Sequence, residues 1–230
     1  MQTIGLLGGM SWESTVTYYR IINEYVQHKL GGVHSAKMVI TSGDFAELAA
    51  LQERGEWDQA AAWLSEQAQA LQAAGADFMI IGANTMHKVA PQLTQAVKLP
   101  LLHIADATIA ALHQANITRV GLLGTKYTLT QAFYKDRISA AGIDVLTPDA
   151  AEIEVVNSII YDELCAGKIV SASKQTLLDL IAQMQAQGAQ GVILGCTELD
   201  LQVQPEDVAL PVFDTTEIHA KAAAARALAN

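Results

Sequence analysis

The stretch Met79-Ile80-Ile81-Gly82-Ala83-Asn84-Thr85-Met86-His87 returns, at an offset of 113 residues, as Val192-Ile193-Leu194-Gly195-Cys196-Thr197-Glu198-Leu199. In each copy a run of large apolar residues, the pattern of a strand buried on both faces, meets a small residue and then a cluster of groups able to bind or react. The second copy has a cysteine where the first has Ala83. Two further pairs keep nearly the same spacing. Gly5-Leu6-Leu7-Gly8 matches Gly121-Leu122-Leu123-Gly124 at 116, and Leu99-Pro100 matches Leu210-Pro211 at 111. Two similar halves are implied.

Strands are expected at Thr3–Leu7, Ala36–Thr41, Asp77–Gly82, Leu99–Ile104, Arg119–Gly124, Ile143–Leu146, Gln190–Leu194 and Leu210–Phe213. Between them lie amphipathic or alanine-rich runs, stopped at Gly31, Gly75, Gly142, Gly167 and Gly188 as left-handed C-caps would stop helices. This alternation predicts an α/β fold of two Rossmann-like lobes, each with a mostly parallel four-stranded sheet. Residues 1–105 with 215–230 form the expected first lobe, to which the alanine-rich C-terminal helix returns, and 106–214 the second. The carboxyl ends of parallel strands line ligand crevices, so the active site is expected between the lobes.

With 51% hydrophobic and 17% charged residues over 230 positions, the chain can bury a substantial core. Its formal charge of −10 argues against a nucleic-acid partner, which needs clustered lysine and arginine. No apolar run reaches the roughly 18 residues that span a bilayer. Gly5, Gly8 and Gly9 stand where an export signal would need a charged lead and a continuous apolar core, so the cytoplasm is the expected compartment and no membrane partner is expected. Cys165 and Cys196 are read as free thiols.

The opening glycines fit neither G-x-G-x-x-G nor a P-loop; they read better as a backbone able to approach a small anion, with Met10 and Ser11 leading into a helix near Trp12. Cys196 follows a buried strand, where turn amides can lower a thiol pKa and hold a thiolate, the state a base or nucleophile needs; the alternative is a small buried filler. Asn84, Thr85 and Thr197 are donors suited to a carboxylate, or else helix caps. Thr125, Tyr127 and Thr128 follow the other glycine-bearing strand and point to the same cleft. Cys165, near the Gly167 cap, reads as structural. The six histidines have no metal-ligand spacing, so no metal is expected.

The paired strand ends, together with Ile4-Gly5-Leu6-Leu7-Gly8-Gly9-Met10-Ser11-Trp12-Glu13-Ser14-Thr15, resemble the aspartate/glutamate racemase family over essentially the whole chain. The resemblance implies a cofactor-independent amino-acid racemase with two lobes related by pseudo-twofold symmetry, and a homodimer. It implies one thiol on each side of the α-carbon, because a single base that returns its proton to one face regenerates the same enantiomer. It assigns carboxylate binding to Asn84, Thr85 and Thr197, and side-chain contacts to Gln52, near Arg54, and to Lys168; Met10, Thr125 and Thr128 complete the expected site.

The chain departs from the family pattern at Ala83, since alanine moves no proton. Either Ala83 is a substitution that stalls turnover, or it is native and the reaction has one base. The one-base case extends the resemblance to arylmalonate decarboxylases, in which a single second-half cysteine protonates a carbanion left by loss of carbon dioxide. A non-catalytic amino-acid binding protein is the alternative from another class.

Overall fold

In the computed structural model, which describes residues 1–229, a strand-then-helix alternation persists along the chain. The order is β1 (Ile4–Gly8), α1 (Trp12–Leu30), β2 (Met38–Ser42), α2 (Phe45–Glu53), α3 (Trp57–Ala73), β3 (Phe78–Ile81), α4 (Ala90–Ala96) and α5 (Ile104–Gln114). It continues through β4 (Arg119–Gly124), α6 (Lys126–Thr130), α7 (Ala132–Ala140), β5 (Asp144–Leu146), α8 (Ala150–Ser158), α9 (Ser171–Ala186), β6 (Val192–Gly195), β7 (Val212–Asp214) and α10 (Thr215–Leu228). The chain divides into two compact units, Met1–Ile104 together with the chain from Thr216, and Ala105–Thr215.

The first unit holds a parallel sheet of order β2-β1-β3. The fourth strand expected at Leu99–Ile104 shrinks to one parallel bridge between Met79 and Leu101. Met79 N–H donates to Pro100 O at 2.9 Å and Leu102 N–H to Met79 O at 3.0 Å. The ladder goes no further because Pro100 has no N–H to give and Ile104 already opens α5. Strand parity then sorts the core onto two faces. Leu7, Met79 and Ile81 pack with Leu64, Leu71 and Leu93 on one side. Ile4, Leu6, Phe78 and Ile80 pack on the other with Tyr18 and Ile22 of α1 and Ala220, Ala223, Ala224 and Ala227 of α10.

The second unit holds a parallel sheet of order β5-β4-β6-β7. Leu123, Val192 and Leu194 pack against Leu177, Ile181 and Met184 of α9 and against Val156 of α8. Where one regular helix was expected before Gly167, α8 runs into a π-helical turn at Ile159–Glu163 and a 3-10 turn at Leu164–Ala166. Gly167 then ends it in the left-handed region, φ 70°, which a residue without Cβ adopts freely. Cys165 is exposed on this segment rather than packed.

Among the described residues no helix is long and apolar enough to cross a membrane.

Candidate active site

In the first unit β3 ends at Ile81 and the chain turns through Gly82, where a Cβ would lie 3.2 Å from Leu7 O. Gly82 N–H donates to Leu7 O at 2.9 Å, and Gly82 O accepts from Ser14 Oγ at 2.8 Å. Ala83, Asn84 and Thr85 follow, all buried, at the head of a 3-10 turn spanning Thr85–Val89. Asn84 occupies the cap position, but its side chain makes no capping hydrogen bond. The capping alternative therefore falls away for that residue.

Met10, Ala83 and Met86 share the apolar cluster on one face of the sheet. Gln52, on α2, is buried beside it, and its Nε2 donates to Met86 Sδ at 3.1 Å. Arg54, two residues on, pairs instead with Glu56 at 2.8 Å on the surface. The loop after β1 differs from the anion cradle expected of it. Gly9 N–H is taken by Thr15 Oγ1 at 2.7 Å, and Ser14 N–H by Ser11 Oγ at 3.3 Å, so these amides serve the start of α1.

In the second unit the corresponding strand end is β6. Cys196 is 9% exposed, and its Sγ donates to Glu198 Oε2 at 3.0 Å. Thr197 Oγ1 donates to the same oxygen at 2.6 Å. Leu199 N–H closes on Cys196 O at 3.2 Å, so the chain turns tightly enough to bring side chains two apart onto one side. Glu198 lies within the repeated stretch but is given no role by the sequence reading, although it is the partner of both side chains. Nothing in its spacing marks it apart from an ordinary surface carboxylate.

The environment reverses the expectation of a stabilised thiolate. Burial pushes the Cys196 pKa up, the Glu198 charge adds to this, and a backbone hydrogen bond from Glu198 opposes it only in part. Cys196 is therefore a protonated thiol at rest. Tyr161, delivered by the π-helical turn, has its phenol pKa raised first by burial and then by nearness to Cys196. It too went unnoticed as a neighbour, because a π turn leaves no period in the sequence.

Thr125 proves to be the N-cap of α6, its Oγ1 accepting from Thr128 N–H at 3.4 Å, and Thr128 is wholly buried with its hydroxyl 3.3 Å from that of Thr125. Lys168 is exposed, and its Nζ donates to Asp162 O at 3.4 Å. Among the described residues no group of three or more His, Cys, Asp or Glu side chains is arranged to hold a metal ion.

The model of the Asp/Glu/hydantoin racemase family matches residues 7–223. The broad specificity amino-acid racemase RacX of Bacillus subtilis is 27% identical over 232 residues, with 98% of each chain covered. Among solved structures, a candidate Asp/Glu racemase from Yersinia pestis is 52% identical with a TM-score of 0.94, covering 99% of this chain and 100% of that one. An aspartate racemase homologue from Pyrococcus horikoshii is 35% identical with a TM-score of 0.87 and 99% of each chain covered.

Proposed function

Because the chain belongs to the Asp/Glu/hydantoin racemase family, we propose that it is an amino-acid racemase of acidic or polar substrates that moves the α-proton through Cys196 without a cofactor. The observation that carries this reading is the 3.0 Å contact from Cys196 Sγ to Glu198 Oε2. To act as a base, the thiol must first lose its proton, and Glu198 is the acceptor within reach. The thiolate then takes the α-proton, and the electron pair of the Cα–H bond remains on a carbanion delocalised into the substrate carboxylate. Asn84, Thr85 and Thr197 are the donors we assign to that carboxylate. Met10, Gln52 and Lys168 are assigned to the rest of the substrate, and Thr125 and Thr128 shape the neighbouring strand end.

Return of the proton from Sγ–H to the same face restores the starting enantiomer. Inversion needs a donor on the other face, and Ala83, which the repeat equates with Cys196, has no proton to deliver. The enzyme is thus expected to exchange the α-proton faster than it inverts the centre. Incubation with L- and D-aspartate and L- and D-glutamate in deuterated water, followed by NMR and chiral chromatography, tests this. Exchange that Cys196→Ser abolishes supports the reading; exchange undiminished in that variant sinks it.

A second reading draws on the raised thiol pKa. A sulfur kept protonated suits a decarboxylase, in which the thiol only delivers a proton to a carbanion left by loss of carbon dioxide. Release of carbon dioxide from an arylmalonate, with no exchange of amino-acid α-protons, would select it.

A further inference from the structure

We infer that His87 is a positioning residue, a neutral imidazole of one tautomer that holds the Ala83-Asn84-Thr85 turn in its working conformation by bridging two backbone groups. The inference rests on the reading of that turn as part of the substrate site.

The residue lies four places after Ala83 on the 3-10 turn that follows β3 and is 1% exposed. His87 Nδ1 is 2.8 Å from Ala83 O, which can only accept, so Nδ1 carries the hydrogen. Its Nε2 is 3.2 Å from Ile104 N, which can only donate, so Nε2 is bare. Both contacts select the same tautomer. A second proton would set N–H against N–H at Ile104.

The surroundings keep the ring uncharged. Burial lowers the His87 pKa most, and the neighbouring His103 and His219 lower it further, while contacts with the Ala83 and Asn84 backbone oppose them. The His103 ring centroid is 4.4 Å away and that of His219 5.8 Å. In His219, Nε2 is 2.8 Å from Leu102 O and so carries a hydrogen, and because burial keeps the ring uncharged, Nδ1 is left to accept from Tyr18 Oη at 2.9 Å. No carboxylate is among the groups that shift His87.

Both groups that the ring ties have reason to need it. Ile104 is the first residue of α5, and first-turn amides have no partner within their own helix. Ala83 O stands just beyond the end of β3, and it belongs to the peptide that also carries the Asn84 N–H. A tie at that peptide sets where Asn84 and Thr85 begin. Displacement of binding groups by about 1 Å is enough to slow a reaction on the order of 100-fold.

Two substitutions separate the contacts. His87→Asn keeps an amide N–H near the Nδ1 position, whereas His87→Gln keeps a carbonyl near Nε2. With the intact enzyme and α-deuterium exchange as the readout, the Asn variant should stay within about threefold of wild type, and the Gln variant should lose about 100-fold in kcat with little change in KM. Both should lower Tm alike. Equal rate losses in the two, or losses that only track Tm, overturn the positioning role.

Measurements that need no activity keep this separate from the functional reading. In the wild-type protein, 15N NMR of labelled histidine should show a protonated Nδ1 and bare Nε2 at neutral pH; the opposite tautomer or a charged ring overturns the inference, whether or not either variant folds. The 13C resonance of the Ala83 carbonyl should move in the Gln variant and hold in the Asn variant. If wild type exchanges no amino-acid α-proton, the functional reading fails, and a carbonyl resonance that behaves alike in both variants refutes the bridge itself.

Discussion

The Cys196 thiol and the Glu198 carboxylate meet at 3.0 Å across a turn of two residues, and the oxygen they share also takes the Thr197 hydroxyl at 2.6 Å. Two hydrogens thus converge on one carboxylate oxygen. The arrangement holds sulfur in its acid form and places an acceptor beside it; in the reaction proposed above, the first proton to move at this strand end is the one on Sγ. Burial makes the thiolate costly, so the proposed reaction calls for proton removal only once substrate is bound.

Replacing Glu198 by Gln removes the acceptor while preserving shape. The α-deuterium exchange rate should fall by about 10²- to 10⁴-fold, the usual contribution of a positioned acid or base. Because the Glu198 charge raises the thiol pKa, residual activity should begin its rise at lower pH than in wild type. A full rate profile from pH 6 to 10 checks both; an unchanged rate would leave Glu198 as a mere hydrogen-bond acceptor.

Acid should weaken the fold through the buried histidines. His219 is pushed down to about 4, chiefly by burial, whereas an unfolded histidine titrates near 6.5. Between those values the unfolded chain binds more protons, so stability falls as pH drops from about 6.5 toward 4 and is flat above that window. His219 alone should account for about 2 kcal/mol between pH 7 and pH 5, and His87 acts in the same direction. Urea titrations at the two pH values should show the loss, and His219→Asn should reduce it by the His219 share, leaving that of His87.

Much of this architecture was legible because buried strands leave unmistakable runs. Ile193-Leu194 and Ile80-Ile81 could only be core, and Gly75 and Gly188 stop their helices at φ 86° and 97°. The Leu99–Ile104 strand failed for a local reason, a proline within it and a helix beginning at its end. Site chemistry was harder to see. Thr125 and Asn84 look alike as caps in sequence, yet only Thr125 caps. Cys196 was recognisable, but its protonation state depends on Glu198, which a turn rather than a spacing rule brings to it.

The alanines of α10 can be tested for packing rather than helix propensity. Ala224 is fully buried in the cluster that includes Ile4, Tyr18 and Phe78, so Ala224→Leu should overpack it and cost about 1–3 kcal/mol. Ala225, on the exposed side of the same helix, should accept leucine within about 0.5 kcal/mol. Denaturant midpoints of the two variants decide; equal effects would mean that α10 does not pack as described.

Ala83→Cys is the decisive substitution for the chemistry. Ala83 is 9% exposed at the end of β3, the position that the repeat equates with Cys196 at the end of β6. A thiol there adds a second group able to carry a proton, whereas a threonine adds a hydroxyl whose far higher pKa makes it the poorer proton donor. If one-sided proton transfer limits the wild-type enzyme, the ratio of inversion to exchange should rise at least about tenfold with cysteine and less with threonine, while exchange itself changes little. The side chain grows by one atom, so stability should shift by no more than about 1–3 kcal/mol. Chiral chromatography and deuterium incorporation, measured on the same samples, separate the two rates. Equal ratios in all three proteins would mean that position 83 takes no part in inversion, and that some other group or a water already serves the second face.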